Sequence, residues 1–416
     1  MTRTSHAHPR ADVPTHGHQP TLIAAFLHFD LCFMIWVLLG ALGVSIGEGL
    51  GLNAAQKGLM VATPLLSGSL VRIPLGLLSD HFGGRRVGIW MLALLFVPLT
   101  IGWQAGTSLS VLIAIGLMLG VAGGSFAVVL PLASRWYPPE RQGLVMGIAA
   151  AGNSGTVVAN LLAPRIAAYV GWHNVLALMM IPLSIVLIVF TLLAKDSPAR
   201  GAGSSTASYL AVLRRPELWW FCLLYSVTFG GFVGLASFLP VFLRDQYKVT
   251  PVTAGYLTAL AAVAGSAFRP LGGYIADRLG GVRLLSYLLV GISGAYFSAS
   301  MLFALQPMMA ILVLGMACLG LGNGAVFQLV PQCFRREIGV ATGFIGAIGG
   351  LGGFFLPTLL GQIKQTTGSF QIGFVVLGSV AMVLLALLRV LTTTNIDWAL
   401  SWRRAEQVAP LVKQAA

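Results

Sequence analysis

Arginine occurs twice inside long apolar segments of this chain, and the two occurrences are copies of one another. Arg72 lies in VATPLLSGSLVRIPLGLLSDHFGGRR and Arg269 in TALAAVAGSAFRPLGGYIADRLGGVR, 197 residues further on in a chain of 416. Each follows an apolar run that approaches the length of a membrane span. Each is followed eight residues later by an aspartate, Asp80 or Asp277, and then by a glycine pair, Gly83-Gly84 or Gly280-Gly281. At ~1.5 Å of rise per helical residue, the arginine stands about 12 Å from the aspartate that marks the membrane edge. That is close to the middle of a hydrocarbon core about 30 Å thick. A charge at that depth costs ~3 kcal/mol or more and by default marks a functional site. Two of them, related by an internal repeat, point to a two-fold pocket for an anion between two half-proteins.

The rest of the chain agrees with a membrane setting. It is 57% hydrophobic and 9% charged, where about a quarter charged is usual for a soluble domain. Apolar runs of span length recur from end to end, and none has the period-2 alternation of a barrel strand. The sequence predicts an all-α integral membrane protein of twelve transmembrane helices, over residues 22–46, 57–79, 87–106, 109–133, 141–166, 173–195, 217–243, 252–277, 283–305, 308–332, 338–363 and 369–393. The polar stretch AKDSPARGAGSSTASYLAVLRRPE, residues 194–217, divides them into two halves of six. The domain order is therefore a tail at 1–21, a six-helix half at 22–195, a linker at 196–216, a second half at 217–393 and a tail at 394–416.

The formal charge of +13 does not indicate nucleic acid, because of where the cations fall. With a cytoplasmic N-terminus, the even-numbered connections and the tails hold Arg3, Arg10, Arg85, Arg86, Arg135, Arg141, Lys195, Arg200, Arg214, Arg215, Arg278, Arg283, Arg335, Arg336, Arg403, Arg404 and Lys413. The other side holds Lys57, Arg165, Arg244, Lys248 and Lys364. Seventeen against five is a positive-inside pattern that puts both termini of a multi-pass protein in the cytoplasm, in the inner (plasma) membrane. Cys32, Cys222, Cys318 and Cys333 lie in or at the ends of apolar spans and read as small core residues. Residues 1–20 lack the apolar core of a signal peptide. Their His6, His8, His16 and His18 read as part of a solvated tail rather than a metal site. No metal site, cofactor motif, nucleophile–base pair or phosphate loop stands out, which argues against an enzyme.

A second repeat joins GVAGGSFAVVLPLASRWYPPERQGLVMGIAAAGNSG, residues 120–155, to GLGNGAVFQLVPQCFRREIGVATGFIGAIGG, residues 320–350. Phe126 answers to Phe327, and Pro164 to Pro357. Glycine clusters such as Gly123-Gly124, Gly230-Gly231, Gly349-Gly350 and Gly352-Gly353 let helices approach closely and slide, as alternating access requires.

GLLSDHFGGRR, residues 76–86, resembles the loop signature of the major facilitator superfamily between spans two and three, and GYIADRLGGVR, residues 273–283, is its echo in the second half. Within that superfamily the chain resembles the nitrate/nitrite porter family, most of all the short assimilatory nitrate transporters. The resemblance rests on the glycine-rich signatures around Phe126–Asn153 and Gly320–Pro357 and on the two arginines. LLYSVTFGGFVG at 223–234, FDLCFMIWVLLGALGV at 29–44 and FQLVPQCFR at 327–335 also carry it. It implies the major facilitator fold, with the anion held by Arg72 and Arg269 and the pocket completed by Tyr225, Phe229, Phe126 and Asn153. A span-one phenylalanine is also implied, either Phe29 or Phe33. Asp80, Arg85 and Asp277 are implied to act at the gate and helix ends.

The chemistry suits the resemblance. A guanidinium is planar and forked and matches a flat oxyanion bidentately where lysine does not. Tyr225 lies one turn before Phe229, so both project from one helix face. Asn153 carries amide donors and an acceptor that can read oxygen positions or bond a neighbouring helix. Asp30, in span one beside His28, is a candidate for proton coupling or for a structural bond to a neighbouring span or arginine. The expectation is a monomeric secondary transporter in the lipid bilayer that imports nitrate, with nitrite as a further candidate, together with protons and for assimilation. Nitrate/nitrite exchange is the alternative within the class. A non-transporting anion sensor is the alternative outside it, disfavoured because no signalling domain is appended.

Overall fold

The computed structural model describes residues 17–137, 145, 149, 151–198, 206–334 and 338–393. His6, His8 and His16, most of the N-terminal tail, the residues from 394 onward and the middle of the linker lie outside the described residues. So do Arg3, Arg10, Arg141, Arg200, Arg335, Arg336, Arg403, Arg404 and Lys413 of the cationic pattern. Among the described residues the regular structure is helical, and eleven helices are long and apolar enough to cross a membrane.

Span one is Gln19–Trp36, continued by Leu38–Ala41 and Gly43–Gly49; span two is Ala54–Leu70 and Arg72–Phe82; span three is Gly84–Ala105. Span four runs through Leu109–Leu119, a 3-10 turn at Gly120–Gly124, and Ser125–Ser134. Span five is described from a 3-10 turn at Ala151–Ser154 into Gly155–Val170; span six is Trp172–Leu193. Spans seven to twelve are Pro216–Tyr247, Pro251–Leu279, Gly281–Ser300, Leu305–Cys333, Ile338–Thr367 and Gln371–Thr393. The linker read from the sequence is not wholly irregular, since Thr206–Leu213 is a short helix inside it. Span seven, at 32 residues, is about 48 Å long by helical rise and reaches past a hydrocarbon core.

Spans eight and ten pack side by side, as do seven and eleven. Across the sequence halves, span eleven lies along span two and span eight along span five, with span one against span seven. Spans three, six, nine and twelve are peripheral and carry large exposed apolar side chains such as Trp90, Ile185, Tyr287 and Val383. The interface between the halves is thus lined by spans bearing the two arginines, the glycine clusters and the aromatic residues of the repeats.

Three helix interruptions fall at pocket residues. Span two breaks at Val71, directly before Arg72. Span four tightens to 3-10 just before Phe126, and the 3-10 turn of span five contains Asn153. Such tightened turns often mark functional hinges. The loop signature ends both arginine-bearing spans in the same way: Gly83 has φ 99° and ψ 140°, and Gly280 has φ 88° and ψ 132°. A side chain at such positive φ is strained. Gly83→Ala and Gly280→Ala are each expected to cost ~1–3 kcal/mol, additively because the turns are distant from one another. Thermal unfolding of the detergent-solubilised variants reads this as a lowered Tm; unchanged Tm values would show that the turns relax.

Candidate functional site

Arg72 is 1% exposed and meets no carboxylate among the described residues. Its Nε donates to the Gly123 carbonyl at 2.9 Å, and its Nη1 donates to the Gly346 carbonyl. Its Nη2 is buried without a partner. Three rings surround the guanidinium: Trp36 and Phe229, each with its centroid 5.2 Å from Cζ, and Phe126 at 5.7 Å. The helix-carbonyl contacts therefore orient Arg72 without neutralising it. They fix the fork between span four of the first half and span eleven of the second, and leave one N–H pair for a ligand.

Arg269 is half-buried and stands 5.7 Å from the ring of Phe327. This repeats the relation of Arg72 to Phe126, and the two phenylalanines meet edge to face at 5.9 Å. The pair answering to one another in the sequence repeat thus touch at the two-fold centre. Tyr225 is 1% exposed, stacks on Phe229 at 4.8 Å with planes 3° apart, and sets its ring edge-on to Phe327 at 5.0 Å. Through Phe229 the ring stands beside Arg72, and through Phe327 beside Arg269. Arg72, Arg269, Tyr225, Phe229 and Phe126 are therefore brought together. Phe29 is the span-one phenylalanine that approaches Phe126, at 6.0 Å; Phe33 packs between Phe29 and Trp36, edge-on to the indole.

Asn153 is 2% exposed, and its Oδ1 has no partner. Its turn packs on spans one and eight, at the interface between the halves. Asp30 accepts from the Ser154 hydroxyl at 2.5 Å and is tied to span five, not to an arginine. His28 is fully buried between the Ser125 hydroxyl at 2.8 Å and the Gly88 carbonyl at 3.2 Å. The carbonyl requires Nε2 to carry the proton, so Nδ1 accepts from Ser125 and the ring bolts spans one, three and four together.

The loop-signature residues lie away from the pocket. Asp80 pairs with Arg135 at 2.6 Å, and Arg85 donates to the Thr191 carbonyl at 2.7 Å while its backbone N–H meets Asp196. Asp277 is exposed. His18 caps span one, accepting from the Thr21 N–H, and stacks on Trp136; burial and the charge of Lys195 hold its imidazole below the usual histidine range. At this end, among the described residues, ion pairs stay within one half. At the opposite end they cross between the halves: Glu48 with Arg244 at 2.7 Å and Lys57 with Asp245 at 2.8 Å. There the backbones also close in, since a Cβ on Gly58 would lie 2.5 Å from the Pro357 carbonyl oxygen.

Sequence reasoning missed Trp36, which bonds the Pro64 carbonyl at 2.7 Å and faces both Arg72 and Phe229. The signal was present, because Phe29, Phe33 and Trp36 follow the i, i+4, i+7 spacing of one helix face. The Gly123 and Gly346 carbonyls carry no side-chain signal at all.

A family model described as Major Facilitator Superfamily matches residues 24–357. The chain is 37% identical over 353 residues to the "Nitrite extrusion protein" of Bacillus subtilis, covering 84% of this chain and 88% of that one. It is 33% identical over 378 residues to the "Probable nitrate/nitrite transporter NarK2" of Mycobacterium tuberculosis, covering 88% and 95%. The chain belongs to the nitrate/nitrite porter family of the major facilitator superfamily. Among solved structures, the human organic anion transporter MFSD10 (TETRAN) resembles it with a TM-score of 0.69 at 16% identity, over 90% of this chain and 100% of that one. That likeness speaks for the fold. The porter is a multi-pass membrane transporter and not an enzyme.

The Tyr225 ring depends on a glycine of the facing span. A Cβ on Gly349 would lie 2.2 Å from Tyr225 Cδ1. Gly349→Val is expected to displace the stacked pair and abolish transport by the porter while the protein still elutes as a single species in detergent. Transport at the wild-type rate would show that the ring is not held where it is needed.

Proposed function

We propose that this porter imports nitrate, with nitrite as a second substrate, across the inner membrane by alternating access. The observation that carries the reading is the pair of guanidinium groups at mid-depth with no carboxylate partner among the described residues. A planar monovalent oxyanion fits between them, bonded by the free Nη2 of Arg72, by Arg269 and by the Tyr225 hydroxyl. Phe126, Phe229 and Trp36 exclude water and present flat faces to a flat ion. Asn153 reads an oxygen position. The family relatives named for nitrate and nitrite support the same ions.

Residues 22–195 and 217–393 act as the two rocking bodies of a monomer, with both termini cytoplasmic. The loop-signature end is then cytoplasmic, and the closure by Glu48–Arg244 and Lys57–Asp245 faces outward, so the described conformation opens inward. Import of an anion against a negative-inside potential costs ~2.3 kcal/mol per 100 mV. Co-transport of more than one proton makes the step electrically favourable, and Asp30, bonded to the turn that carries Asn153, is the proposed carrier. Exchange for nitrite is the second reading, favoured by the relative named for nitrite extrusion. Nitrate uptake into proteoliposomes with imposed pH or nitrite gradients tests both. Stimulation by an inward proton gradient with empty lumens supports symport. Uptake only into nitrite-loaded vesicles supports exchange, and no uptake under either gradient rejects the proposed substrate.

Arg72→Lys and Arg269→Lys keep charge but lose the fork. Each is expected to weaken nitrate binding, measured by calorimetry, at least tenfold, or ~1.4 kcal/mol; near wild-type affinity in a folded variant would rule out bidentate recognition. Asp30→Asn keeps the shape of the protonated acid but releases no proton. It is expected to retain counterflow between equal nitrate pools and to lose accumulation under a pH gradient; accumulation at the wild-type rate would make Asp30 structural.

A further inference from the structure

Three polar groups stand one helical turn from the pocket, and none has a hydrogen-bond partner. In span seven Thr228 follows Tyr225 by three residues; in span eight Ser266 precedes Arg269 by three; in span ten Asn323 precedes Phe327 by four. Span seven runs antiparallel to spans eight and ten, so these opposite offsets carry all three groups to the same side of the pocket, ~4.5–6 Å along the helix axes. That side is the one closed by Glu48–Arg244 and Lys57–Asp245. Thr228 Oγ1, Ser266 Oγ and Asn323 Oδ1 are buried and unpartnered, and the Thr228 and Asn323 residues are 0% and 1% exposed.

Thr228 packs on Gly322, the residue before Asn323. A Cβ on Gly322 would lie 2.6 Å from Thr228 Cγ2, and one on Gly324 would lie 2.1 Å from the Arg269 carbonyl oxygen. Asn323 is thus wedged where span ten meets spans seven and eight, one turn above the ring that faces Arg269.

Most buried hydroxyls in the spans are bonded to their own helix, Ser237 being the one other buried hydroxyl without a partner among the described residues. Thr63, Ser69, Ser226, Thr258 and Ser286 each donate to the carbonyl four residues back. Ser69 stands to Arg72 as Ser266 stands to Arg269, yet it is closed on its own helix at 2.7 Å from the Leu65 oxygen. The hydroxyl beside the arginine is therefore closed in the first half and open in the second. A buried polar group left unpaired costs ~1–3 kcal/mol, so three in one layer call for an occupant. Hydroxyls donate, an amide can turn its N–H group inward, and the charge of Arg269 repels cations and attracts anions.

We propose that Thr228, Ser266 and Asn323 form a second, uncharged subsite for the same planar monovalent oxyanion, between the arginine pair and the closure made by Glu48–Arg244 and Lys57–Asp245. The proposal rests on the transport reading above. Neutral donors hold an anion more weakly than guanidinium groups, so the ion is accepted there and passed on rather than trapped, as multi-site conduction requires.

Thr228→Val and Asn323→Leu in the full-length protein test this, because each removes polarity with little change of shape. Both are expected to leave Tm unchanged or raised. Equilibrium nitrate binding to the arginine pair should stay within ~3-fold of wild type, while nitrate uptake by proteoliposomes falls at least ~10-fold. Thr228→Ser, which keeps the hydroxyl, is expected to restore uptake. A raised Tm with wild-type uptake would overturn the proposal and make the groups hydrated packing defects. A lowered Tm would overturn it too, by showing that the groups hold structural bonds. Absence of nitrate uptake by the wild-type protein would instead sink the transport reading itself.

Discussion

The architecture depends on a buried guanidinium that is oriented but not neutralised. Arg72 is held by the Gly123 and Gly346 carbonyls and ringed by Trp36, Phe126 and Phe229. Hydrogen bonds to a charged group contribute ~1.5–3 kcal/mol each, and a desolvated cation–π contact up to about 2 kcal/mol. Together they offset the cost of placing the cation at mid-membrane without cancelling its charge. A carboxylate partner would have made the site more stable and useless for an anion. The small residues follow from the same need, because the Gly346 carbonyl reaches Arg72 only where spans two and eleven approach without intervening side chains.

The two-fold repeat builds the pocket, and departures from it give the pocket direction. Phe126 and Phe327 stand equally far from their arginines and touch at the centre. Arg72, however, is 1% exposed, while Arg269 is half-buried. Tyr225 and Phe229 come from span seven alone, and Asp30 and Asn153 from the first half alone. The ends differ as well, one crossed by Glu48–Arg244 and Lys57–Asp245 and the other, among the described residues, holding its ion pairs within each half. A symmetric frame with an asymmetric lining suits a site that must be reached from one side at a time.

Much of this was legible in the residues. Span limits such as 252–277 and 369–393 fall within a few residues of Pro251–Leu279 and Gln371–Thr393, because hydrocarbon thickness and helical rise leave little freedom. The arginines stood out because charge is so costly at that depth, and Phe126 and Phe327 because the repeat aligns them. What was not legible depends on packing in three dimensions. Carbonyl partners of Arg72 come from glycines whose sequence says only that they are small. The choice between Phe29 and Phe33 turns on a rotation of span one that hydropathy does not fix. That Asp30 has the Ser154 hydroxyl of span five as its partner depends on packing between spans and has no signal in the residues themselves. The linker helix at Thr206–Leu213 hid behind a composition rich in Gly and Ser.

The central claim is that Arg72 and Arg269 hold one planar oxyanion between them. A structure determined with nitrate present tests it most directly. The account predicts a flat, three-lobed density bonded to the free Nη2 of Arg72 and to Arg269, between the rings of Phe126 and Phe229. An empty space between the arginines at saturating nitrate, or a carboxylate side chain turned in to bridge them, would contradict it.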